Sequence, residues 1–553
     1  MNISQFVCPA QWPSLPGTNA PFEWSGSSAS VSWVVKHRLF LFRVDSCLGR
    51  MPLYPYLLLC RCTDGNHRAE RFRVSEYRYV GRKFIARHGG KEEQDRNAVF
   101  VALKLIRVEK PEYKLLLEEG PTVARGRRPD PVLRLEDFAA NEDDLSVLSH
   151  WMQNPAAEPP CTVPYEALAH EILPEDLFEK CRDTPVSDPD HPFAADFQIS
   201  ARLLARENPT FTFIDLFAGV GGFRIAMQQE GGLCTFASEI DKGARATYRD
   251  NFGITPFGDI TKDETKAMIP QSFDILCGGF PCQAFSFAGH RKGFEDALQR
   301  GTLYKQIVEI ARKHQPKAIF CENVKGLLSC AEGQALQTIT QDIEGAGYHI
   351  VFDSILDSMK YGVPQHRERL YIVALRNDLF EAMHQMNLAF PAKPEPIPGQ
   401  HPRTIGDILE EGPVPKSYYL GQNYLNTLIR HRARHADSGN SGFGYIVRER
   451  DDIAGTLMCG GMGRERNMIR DENQLDWKPT PKMLGGMNDQ HLRFLTVREW
   501  ARLQGFPDYF SVPTSIQAGY RQFGNCVTVK TVRAVGRAIL NLIEQCEVEA
   551  DHE

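Results

Sequence analysis

The sequence predicts an α/β protein built on a doubly wound, mostly parallel sheet, with an inserted region and a β-rich extension at its N-terminus. Two observations favour this fold class. Between Phe211 and Leu375, short apolar β segments alternate with helical patterns, which is typical of parallel strands joined by helices. After an irregular, glycine-rich interval at 400–493, helical patterns return at Thr496 and over 527–542. One α/β domain is therefore predicted to be interrupted and then completed.

Charge divides the chain before this domain. Residues 61–128 hold 17 Lys and Arg against 10 Asp and Glu, and their β-branched and aromatic runs predict a basic, β-rich module over 1–128. Residues 130–200 hold 3 basic against 16 acidic residues and several prolines, which predicts an acidic connector with one or two helices over 129–208. The module suits a nucleic-acid or protein partner as well as it suits a scaffold with a solvated charged face, so its role stays open.

A proline-rich linker at 391–398 marks the next boundary. The remaining predicted parts are a catalytic first part at 209–390, an inserted region at 391–494 and a C-terminal completion at 495–553.

Composition excludes several classes of protein. With 553 residues, 42% of them hydrophobic and 24% charged, the chain is predicted to be globular with several domains. No apolar run reaches the roughly 18 residues that span a bilayer, and the first thirty residues do not resemble a signal peptide, so we expect a cytosolic location. The 14 scattered cysteines include no CxxC pair, which favours reduced thiols and no metal site. A net charge of −6 argues against general affinity for nucleic acid.

The first chemical signal is the turn in Phe213-Ile-Asp-Leu-Phe-Ala-Gly-Val-Gly-Gly-Phe223. A buried strand runs into glycines and then a helix, so a ligand can approach the backbone closely. Glu239 ends the next strand about 20 residues downstream, where an acid can accept hydrogen bonds from a ribose diol. Asp259 follows in the third strand region and is available to an adenine amino group. The alternative is that these acids only cap helices.

The second signal is the loop Gly278-Gly-Phe-Pro-Cys-Gln-Ala-Phe-Ser286, directly after an apolar strand. A cysteine is usually a small core residue. Glycines and a proline around Cys282 instead indicate a shaped backbone at the end of a strand, where substrates bind in such sheets. Cys282 is therefore the candidate nucleophile.

These blocks together resemble the DNA cytosine-5 methyltransferase family. Phe280-Pro-Cys-Gln283 stands between Asp215-Leu-Phe-Ala-Gly219 upstream and Glu322-Asn-Val324 downstream. The later blocks, in the family's order, are Gln365-His-Arg-Glu-Arg369, Leu495–Phe506 and Tyr520–Val527. The resemblance covers residues 211–545 and carries no information on residues 1–200. It implies the methyltransferase sheet of this family, with a target-recognition domain inserted in it.

The resemblance also implies a mechanism. Cytosine C5 becomes nucleophilic when a thiolate adds to C6, so Cys282 is assigned the attack and its thiol, ordinarily with a pKa of about 8.5, needs activation. Glu322 matches the carboxyl that donates or shares a proton at N3. Arg367 and Arg369 match paired arginines that hold the cytosine O2 and the active-site carboxylate or cysteine loop. The alternative for these two arginines is a surface salt-bridge pair. The base that removes the C5 proton is not assigned.

S-adenosylmethionine is the implied cofactor. Phe217 would pack on the adenine, Glu239 would hold the ribose, and Asp259 with Ile260 would frame the adenine. One departure from the family is Ile240, which stands where a large aromatic residue is common. The full set of cofactor candidates is Phe217, Gly219, Gly221, Glu239, Ile240, Asp259, Ile260, Pro281, Leu303 and Asn525.

Double-stranded DNA is the implied partner, with its target base flipped out of the helix. Arg291 and Lys292 suit a phosphate-contacting loop and equally suit a solvated surface. Arg464 and Arg466 lie in a glycine-rich stretch and are candidates for guanine contacts, unless they only pair with neighbouring acids. The DNA candidates are Gln283, Ser286, Arg291, Lys292, Thr456, Leu457, Arg464 and Arg466.

Two other functions stay open from the sequence. The first is a tRNA methyltransferase of the same fold, which is disfavoured because about 120 residues separate Leu375 from Leu495. The second is a catalytically silent DNA-binding regulator, which is disfavoured by the intact Cys282, Glu322 and arginine pair. We expect a monomeric, bacterial enzyme of the restriction–modification type, with a cognate restriction endonuclease as a possible partner.

Overall fold

In the computed structural model the chain divides into two compact units, residues 1–130 and 131–553. Before residue 133 the structure describes strands alone. Beyond that point it describes residues 133–153, 165–186, 188, 191–194, 196–197, 209–281, 303–399, 401–437, 444–460, 463–471 and 486–550.

The strands of the first unit are antiparallel. Four of them form a sheet in the order β3-β8-β5-β4, while β1 with β2 and β6 with β7 form separate pairs. They are β1 (Phe22–Gly26), β2 (Ala29–Trp33), β3 (Leu39–Asp45), β4 (Tyr56–Thr63), β5 (Asn66–Gly81), β6 (Ala86–His88), β7 (Lys91–Glu93) and β8 (Ala98–Arg107). The basic module over 1–128 and its role stay predictions.

Within the described part of the second unit, the central element is a six-stranded sheet in the order β10-β9-β11-β12-β14-β13. Its strands are β9 (Phe211–Leu216), β10 (Gly232–Ser238), β11 (Ile275–Gly278), β12 (Ala318–Val324), β13 (Tyr348–Asp357) and β14 (Glu368–Arg376). Strand β14 runs antiparallel to both of its neighbours, and the other pairings are parallel. The predicted mostly parallel α/β sheet is confirmed.

Both faces of this sheet are covered, because successive side chains along each strand point to opposite sides. In β9, Phe213 packs into one core and Ile214 into the other. The helices are α1 (Glu142–Gln153), α2 (Tyr165–Ile172), α3 (Glu175–Asp183), α4 (Gly222–Gln229), α5 (Lys242–Phe252), α6 (Asp263–Ala267), α7 (Tyr304–His314), α8 (Gln334–Glu344), α9 (Asn377–Gln385), α10 (Gln422–Asp437), α11 (Val497–Leu503), α12 (Ile516–Asn525) and α13 (Val529–Ala550). Among the described residues, no helix has the length and apolar character that crossing a membrane requires.

The described part of the predicted connector over 129–208 contains three helices, where one or two were expected. Helices α1, α2 and α3 form a layer that packs on the sheet, in one core with Ile214, Phe236 and Phe257. The acidic residues of α1 lie in its first turn, whereas residues 145–152 of the same helix are buried. The count of charged residues did not reveal this helical layer, because a helix needs only one apolar stripe to pack into a core.

The inserted region shares the other core. It contains α10 and a small sheet in the order β15-β16-β17, with β15 (Val447–Arg448), β16 (Met468–Arg470) and β17 (Leu492–Phe494). Leu425 and Leu457 pack in the same cluster as α4 and α13. The buried guanidinium of Arg493 donates to Glu499 at 2.8 Å and to Asp471 at 2.6 Å, which joins β17 to α11. Whether this region forms a separate recognition domain stays a prediction.

The helical layer can be tested at Trp151, which is 4% exposed and stacks on Phe178 with 4.7 Å between ring centroids. We expect Trp151→Ala to lower the free energy of unfolding of the methyltransferase unit by about 3–5 kcal/mol, through lost burial and the cavity left behind. Urea unfolding followed by circular dichroism measures it. Glu179→Ala, in an exposed pair with Arg182, is the control and should cost less than about 1 kcal/mol. If both variants lower the free energy of unfolding by equal, small amounts, residues 133–197 form a loosely packed connector and the packed helical layer is contradicted.

Candidate active site

The turn after β9 forms one wall of the site. Phe217 has a φ of 55° and Gly219 a φ of 56°. Such a φ is strained for a bulky residue, and strain of this kind marks functional positions. The N–H of Ala218 donates to the carbonyl of Ser238 at 2.9 Å, which holds the turn against β10. A side chain at Gly219 would meet no atom within 4 Å, so the backbone there faces open space.

Glu239 is fixed next to this turn. Its Oε2 accepts from the N–H of Gly219 at 2.8 Å, and its Oε1 accepts from the N–H of Asp241 at 2.7 Å. Burial raises the pKa of Glu239, against the opposing effect of these two hydrogen bonds. Each carboxylate oxygen keeps lone-pair capacity for a further donor. A diol at this position would find both acceptors already oriented.

A cavity of about 660 Å³, part of it open to solvent, extends from Glu239 to Glu322. Helix α12 supplies one side of it, fastened to α5 by a hydrogen bond of 3.1 Å between Thr247 and Gln522. Arg521 forms an ion pair of 3.1 Å with Asp241. The lining residues are Phe217, Ala218, Gly219, Val220, Gly222, Phe223, Glu239, Asp241, Ala244, Gly279, Glu322, Arg521, Gln522, Asn525, Cys526 and Val527.

Four predicted cofactor residues therefore line one cavity: Phe217, Gly219, Glu239 and Asn525. The others lie elsewhere. Ile240 is 71% exposed and Ile260 is buried. The carboxylate of Asp259 accepts from the N–H and hydroxyl of Thr261, at 3.0 and 2.8 Å, in the turn before α6, which begins at Asp263. The other three, absent from the cavity lining, are Gly221, Pro281 and Leu303.

Glu322 lines the cavity and pairs with Arg369. Glu322 lies in β12 and Arg369 in β14, and the carboxylate Oε1 is 3.3 Å from the guanidinium Nε. Their side chains are 11% and 12% exposed. Burial raises the pKa of Glu322, and the charges of Arg369 and Arg367 act in the opposite direction. A carboxyl of raised pKa can share a proton with a base near neutral pH.

Arg367 has a different environment from Arg369. Its guanidinium donates to the carbonyls of Leu457 at 3.0 Å, Cys526 at 2.7 Å and Gly524 at 3.3 Å. Burial and the neighbouring Arg369 lower the pKa of Arg367 to about 9, so it stays charged at neutral pH. The alternative of a surface salt-bridge pair was wrong, because Arg367 is 2% exposed and holds main-chain carbonyls.

Cys282 lies outside the described residues, as do Gln283, Ser286, Arg291 and Lys292. The chain leading to Cys282 is described up to Pro281. The amide of Asn323 donates to the carbonyl of Phe280 at 3.1 Å, so the loop is anchored beside Glu322 two residues before the cysteine. Sequence reasoning had not singled out Asn323, although its position next to Glu322 was a signal.

The DNA candidates of the inserted region have structural partners. The hydroxyl of Thr456 donates to the carbonyl of His366 at 2.7 Å. Leu457 is fully buried and its N–H donates to Gln365 at 3.0 Å, so the prediction that Leu457 contacts DNA is corrected to a packing role.

The two candidate arginines follow in the same region. Arg464 lies 3.4 Å from Glu465 and 4.8 Å from the ring centre of Phe494. These contacts agree with the alternative in which Arg464 stiffens the loop. Arg466 is half-buried in the short turn Glu465–Asn467.

Several lining residues were missed by the sequence reasoning, among them Asp241, Arg521, Gln522 and Cys526. Arg521 and Gln522 lie one turn before Asn525 on α12, and that spacing was the available signal. Within the part of the chain that the structure describes, no group of three or more His, Cys, Asp or Glu side chains is arranged to hold a metal ion.

Comparison with known proteins identifies the relatives of this chain. The family model described as C-5 cytosine-specific DNA methylase matches residues 211–541. Type II methyltransferase M.HpaII of Haemophilus parainfluenzae is 51% identical over 331 residues, 60% of this chain and 89% of that protein. M.DsaV of Dactylococcopsis salina is 37% identical over 345 residues, 62% of this chain and 90% of that protein. M.MspI of a Moraxella species is 33% identical over 374 residues, 68% of this chain and 81% of that protein.

The raised pKa of Glu322 predicts a pH-dependent effect of Glu322→Gln on stability. Below about pH 4.5 the wild-type carboxyl is neutral in both states, and the two proteins should differ least. As pH rises towards the raised native pKa, ionising the buried carboxyl costs the wild type stability that the amide does not lose. We therefore expect the stability of Glu322→Gln, relative to wild type, to increase between pH 4 and pH 8 in urea unfolding.

The matched control is Glu368→Gln, on the same strand as Arg369 but half-exposed and paired with Lys325. Its difference from wild type should stay nearly constant over the same pH range. A relative stability of Glu322→Gln that is constant or falls with pH contradicts a raised pKa at Glu322.

Proposed function

The chain belongs to the C-5 cytosine-specific DNA methylase family, and on that premise we propose how its site carries out the reaction. The protein is a DNA cytosine-5 methyltransferase of the type II restriction–modification kind. The observation that carries the proposed mechanism is that Glu322, paired with Arg369, lines the same cavity as Phe217 and Glu239. A base held at Glu322 and a methyl donor held at Glu239 would thus meet in one space.

The proposed cofactor is S-adenosylmethionine, which supplies an electrophilic methyl group. The residues present fit it. Two main-chain N–H groups hold the Glu239 carboxylate with lone pairs left for a ribose diol, and Phe217 presents an aromatic ring beside it. The open space before Gly219 and the side chain of Asn525 complete the proposed contacts. The roles of Gly221, Ile240, Asp259, Ile260, Pro281 and Leu303 stay predictions.

We propose that Cys282 starts the reaction on the base. Its thiolate forms a bond to cytosine C6, and the electron pair of the C5=C6 bond moves towards N3. Glu322 shares its proton with N3 and so stabilises the charge that develops there. Arg369 holds Glu322 through their ion pair and is proposed to contact cytosine O2. C5 then attacks the methyl group, whose bond to the donor sulfur breaks. The C5 proton leaves to a base not yet assigned, elimination breaks the bond between C6 and the Cys282 sulfur, and N3 returns its proton to Glu322.

Arg367 is proposed as a positioning residue. Its guanidinium holds carbonyls of the inserted region and of the segment after α12, so it shapes the cavity without reaching the base. This differs from a direct contact to cytosine O2, which is left to Arg369.

Substrate DNA is proposed to be read by the inserted target-recognition domain over 391–494, with the target cytosine flipped into the cavity. Gln283, Ser286, Arg291 and Lys292 would contact the opened duplex, and Thr456 with Arg466 would lie on the recognition side. A monomeric state, a cytosolic location and a partner endonuclease also belong to this proposal. The rival reading as a tRNA methyltransferase is tested in the same assay as the DNA activity.

The decisive experiment incubates the protein with radiolabelled S-adenosylmethionine and either duplex DNA or tRNA, followed by base analysis. We expect label in 5-methylcytosine of DNA and none in tRNA. Cys282→Ala should abolish transfer and leave cofactor affinity within a few-fold of wild type, because the thiol acts only on the base. Cys330→Ala, at a half-buried cysteine, is the control and should keep full activity.

The covalent step has its own readout. Duplex DNA with 5-fluorocytosine at the target site should trap the wild-type enzyme as an adduct on a denaturing gel, since fluorine does not leave as a proton does. Cys282→Ala should give no adduct. Substantial turnover by Cys282→Ala, or an active wild type that forms no adduct, contradicts the covalent mechanism.

Arg464 and Arg466 are expected to respond differently to replacement by alanine. An arginine that contacts guanine through two hydrogen bonds contributes about 1–3 kcal/mol of discrimination, roughly ten- to a hundredfold. Arg466→Ala should relax the preference at one base pair of the site. Arg464→Ala should reduce methylation uniformly, because Arg464 already contacts Glu465 and Phe494. Methylome sequencing of both variants measures the methylated motif and its extent of methylation. An unchanged motif in Arg466→Ala contradicts the proposal that Arg466 reads a base.

A further inference from the structure

Helix α1 carries an unusual buried face. Ser146, Ser149, His150 and Gln153 follow the i, i+3, i+4, i+7 spacing that places side chains on one side of a helix. The first three are fully buried. Burying polar side chains is costly unless each finds a partner, so this face must be matched to particular groups.

The partners are main-chain groups of one short segment after α5. The hydroxyl of Ser149 accepts from the N–H of Thr255 at 3.0 Å, and the hydroxyl of Ser146 donates to the carbonyl of Pro256 at 3.2 Å. The Gln153 amide donates to the carbonyl of Phe252. The polar face of α1 therefore forms hydrogen bonds with main-chain N–H and carbonyl groups that a neighbouring strand would otherwise bond.

His150 makes the same kind of contact to the edge of the main sheet. Its Nδ1 lies 2.8 Å from the carbonyl of Ser146, and its Nε2 accepts from the N–H of Ala237 in β10 at 3.3 Å. Burial lowers the pKa of His150 to about 3, in keeping with a neutral ring that donates at one nitrogen and accepts at the other.

The segment that α1 holds is hydrogen-bonded to the end of β10 and to Glu239. Among the described residues, Phe257 joins the sheet through a single bridge to Ser238. The N–H of Phe257 donates to Ala237 and the N–H of Glu239 donates to Phe257, both at 2.8 Å. The position of Glu239 thus depends on a segment whose main-chain groups are held partly by α1 and partly by Arg245 of α5.

A second path runs from α1 to the opposite wall of the cavity. Gln153 Oε1 accepts from the guanidinium of Arg224 at 3.0 Å. Arg224 lies in α4, and the residues Gly222 and Phe223 that begin this helix line the cavity. One side chain of α1 therefore contacts both the segment behind Glu239 and the helix that follows the glycine turn.

We infer that the polar face of α1 is a positioning element for the cofactor site, holding the segment 252–257 and through it Glu239 in the conformation that binds the adenosine part of the methyl donor. The inference rests on the proposed function. The family model begins its match at residue 211, so α1 lies outside the matched domain and this chain supplies the support from its N-terminal extension.

The expected consequence is a change in affinity. When a binding-competent conformation is only partly populated, the apparent dissociation constant rises in proportion to the lost fraction. The chemical step at saturating cofactor and DNA is unaffected, because α1 contacts neither Glu322 nor Arg369 among its described contacts. A loss of α1 contacts should thus raise KM for S-adenosylmethionine and leave kcat within about twofold.

The test measures equilibrium binding of S-adenosylhomocysteine to the full chain by calorimetry. Ser149→Ala leaves the N–H of Thr255 without its partner, and we expect the dissociation constant to rise about fivefold or more. Tyr165→Phe is the matched control, since it removes a hydroxyl of the same layer that donates to Met268 at 2.7 Å and keeps the ring that packs on His150 and Phe257. Its dissociation constant should stay within about twofold of wild type. Hydrogen exchange of the 254–260 amides should quicken in Ser149→Ala alone.

Each outcome is decisive. If Ser149→Ala binds as tightly as wild type, or if both variants weaken binding in step with their lowered thermal stability, the layer is structural cover and the inference is overturned. Should Ser149→Ala fail to fold, Ser146→Ala is used instead, because Pro256 keeps a second donor in Arg245 at 2.8 Å, and a smaller rise is expected. A wild-type chain that neither binds S-adenosylhomocysteine nor methylates DNA overturns the proposed function itself, before any variant is compared.

Discussion

The assembly of the site depends on the buried guanidinium of Arg367. It donates to carbonyls of Leu457, Gly524 and Cys526, which lie about 90 to 160 residues further along the chain. A buried cation that loses its acceptors costs several kcal/mol, so these segments gain much of their stability together. The cofactor cavity shares this constraint, because Cys526 and Asn525 line it. The charge of Arg367 is therefore one of the links that fasten the inserted region to the catalytic sheet.

This arrangement explains why two neighbouring arginines differ. Arg367 is committed to the main chain, which leaves Arg369 as the cation that contacts Glu322. Burial raises the pKa of Glu322, and the charges of Arg369 and Arg367 act in the opposite direction. Gln365 strengthens the link to the inserted region, since it accepts from Leu457 and donates to Leu503 in the returning part of the domain. The inserted region and the pair of Glu322 with Arg369 are thus connected through β14 and the residues before it.

The sequence predicted those parts of the molecule whose signal is local. Alternating apolar residues and glycine turns indicated the two strands that Phe217 and Glu239 follow and the strand that contains Glu322, because side-chain period and backbone freedom depend on neighbouring residues. The helical layer was missed because its partners are distant: Ser149 bonds Thr255, 106 residues away. From the sequence alone, a polar residue such as His150 is assigned to the surface, because its hydrogen-bond acceptor and donor are not known. Leu457 was misassigned for the same reason, since its burial depends on Gln365 and Arg367.

The layer also shows how a parallel sheet can be finished at its edge. Strand β10 lies at the edge of the sheet, and an edge exposes main-chain donors and acceptors that need partners. The segment around Phe257 supplies a few of these, and α1 supplies others with side chains instead of a strand. An apolar helix face would pack here at several angles with similar energy, whereas hydrogen bonds from Ser146, Ser149 and His150 allow one alignment. Because Glu239 stands at the end of this edge, the alignment of α1 sets the geometry of the acid on which ribose binding is proposed to depend.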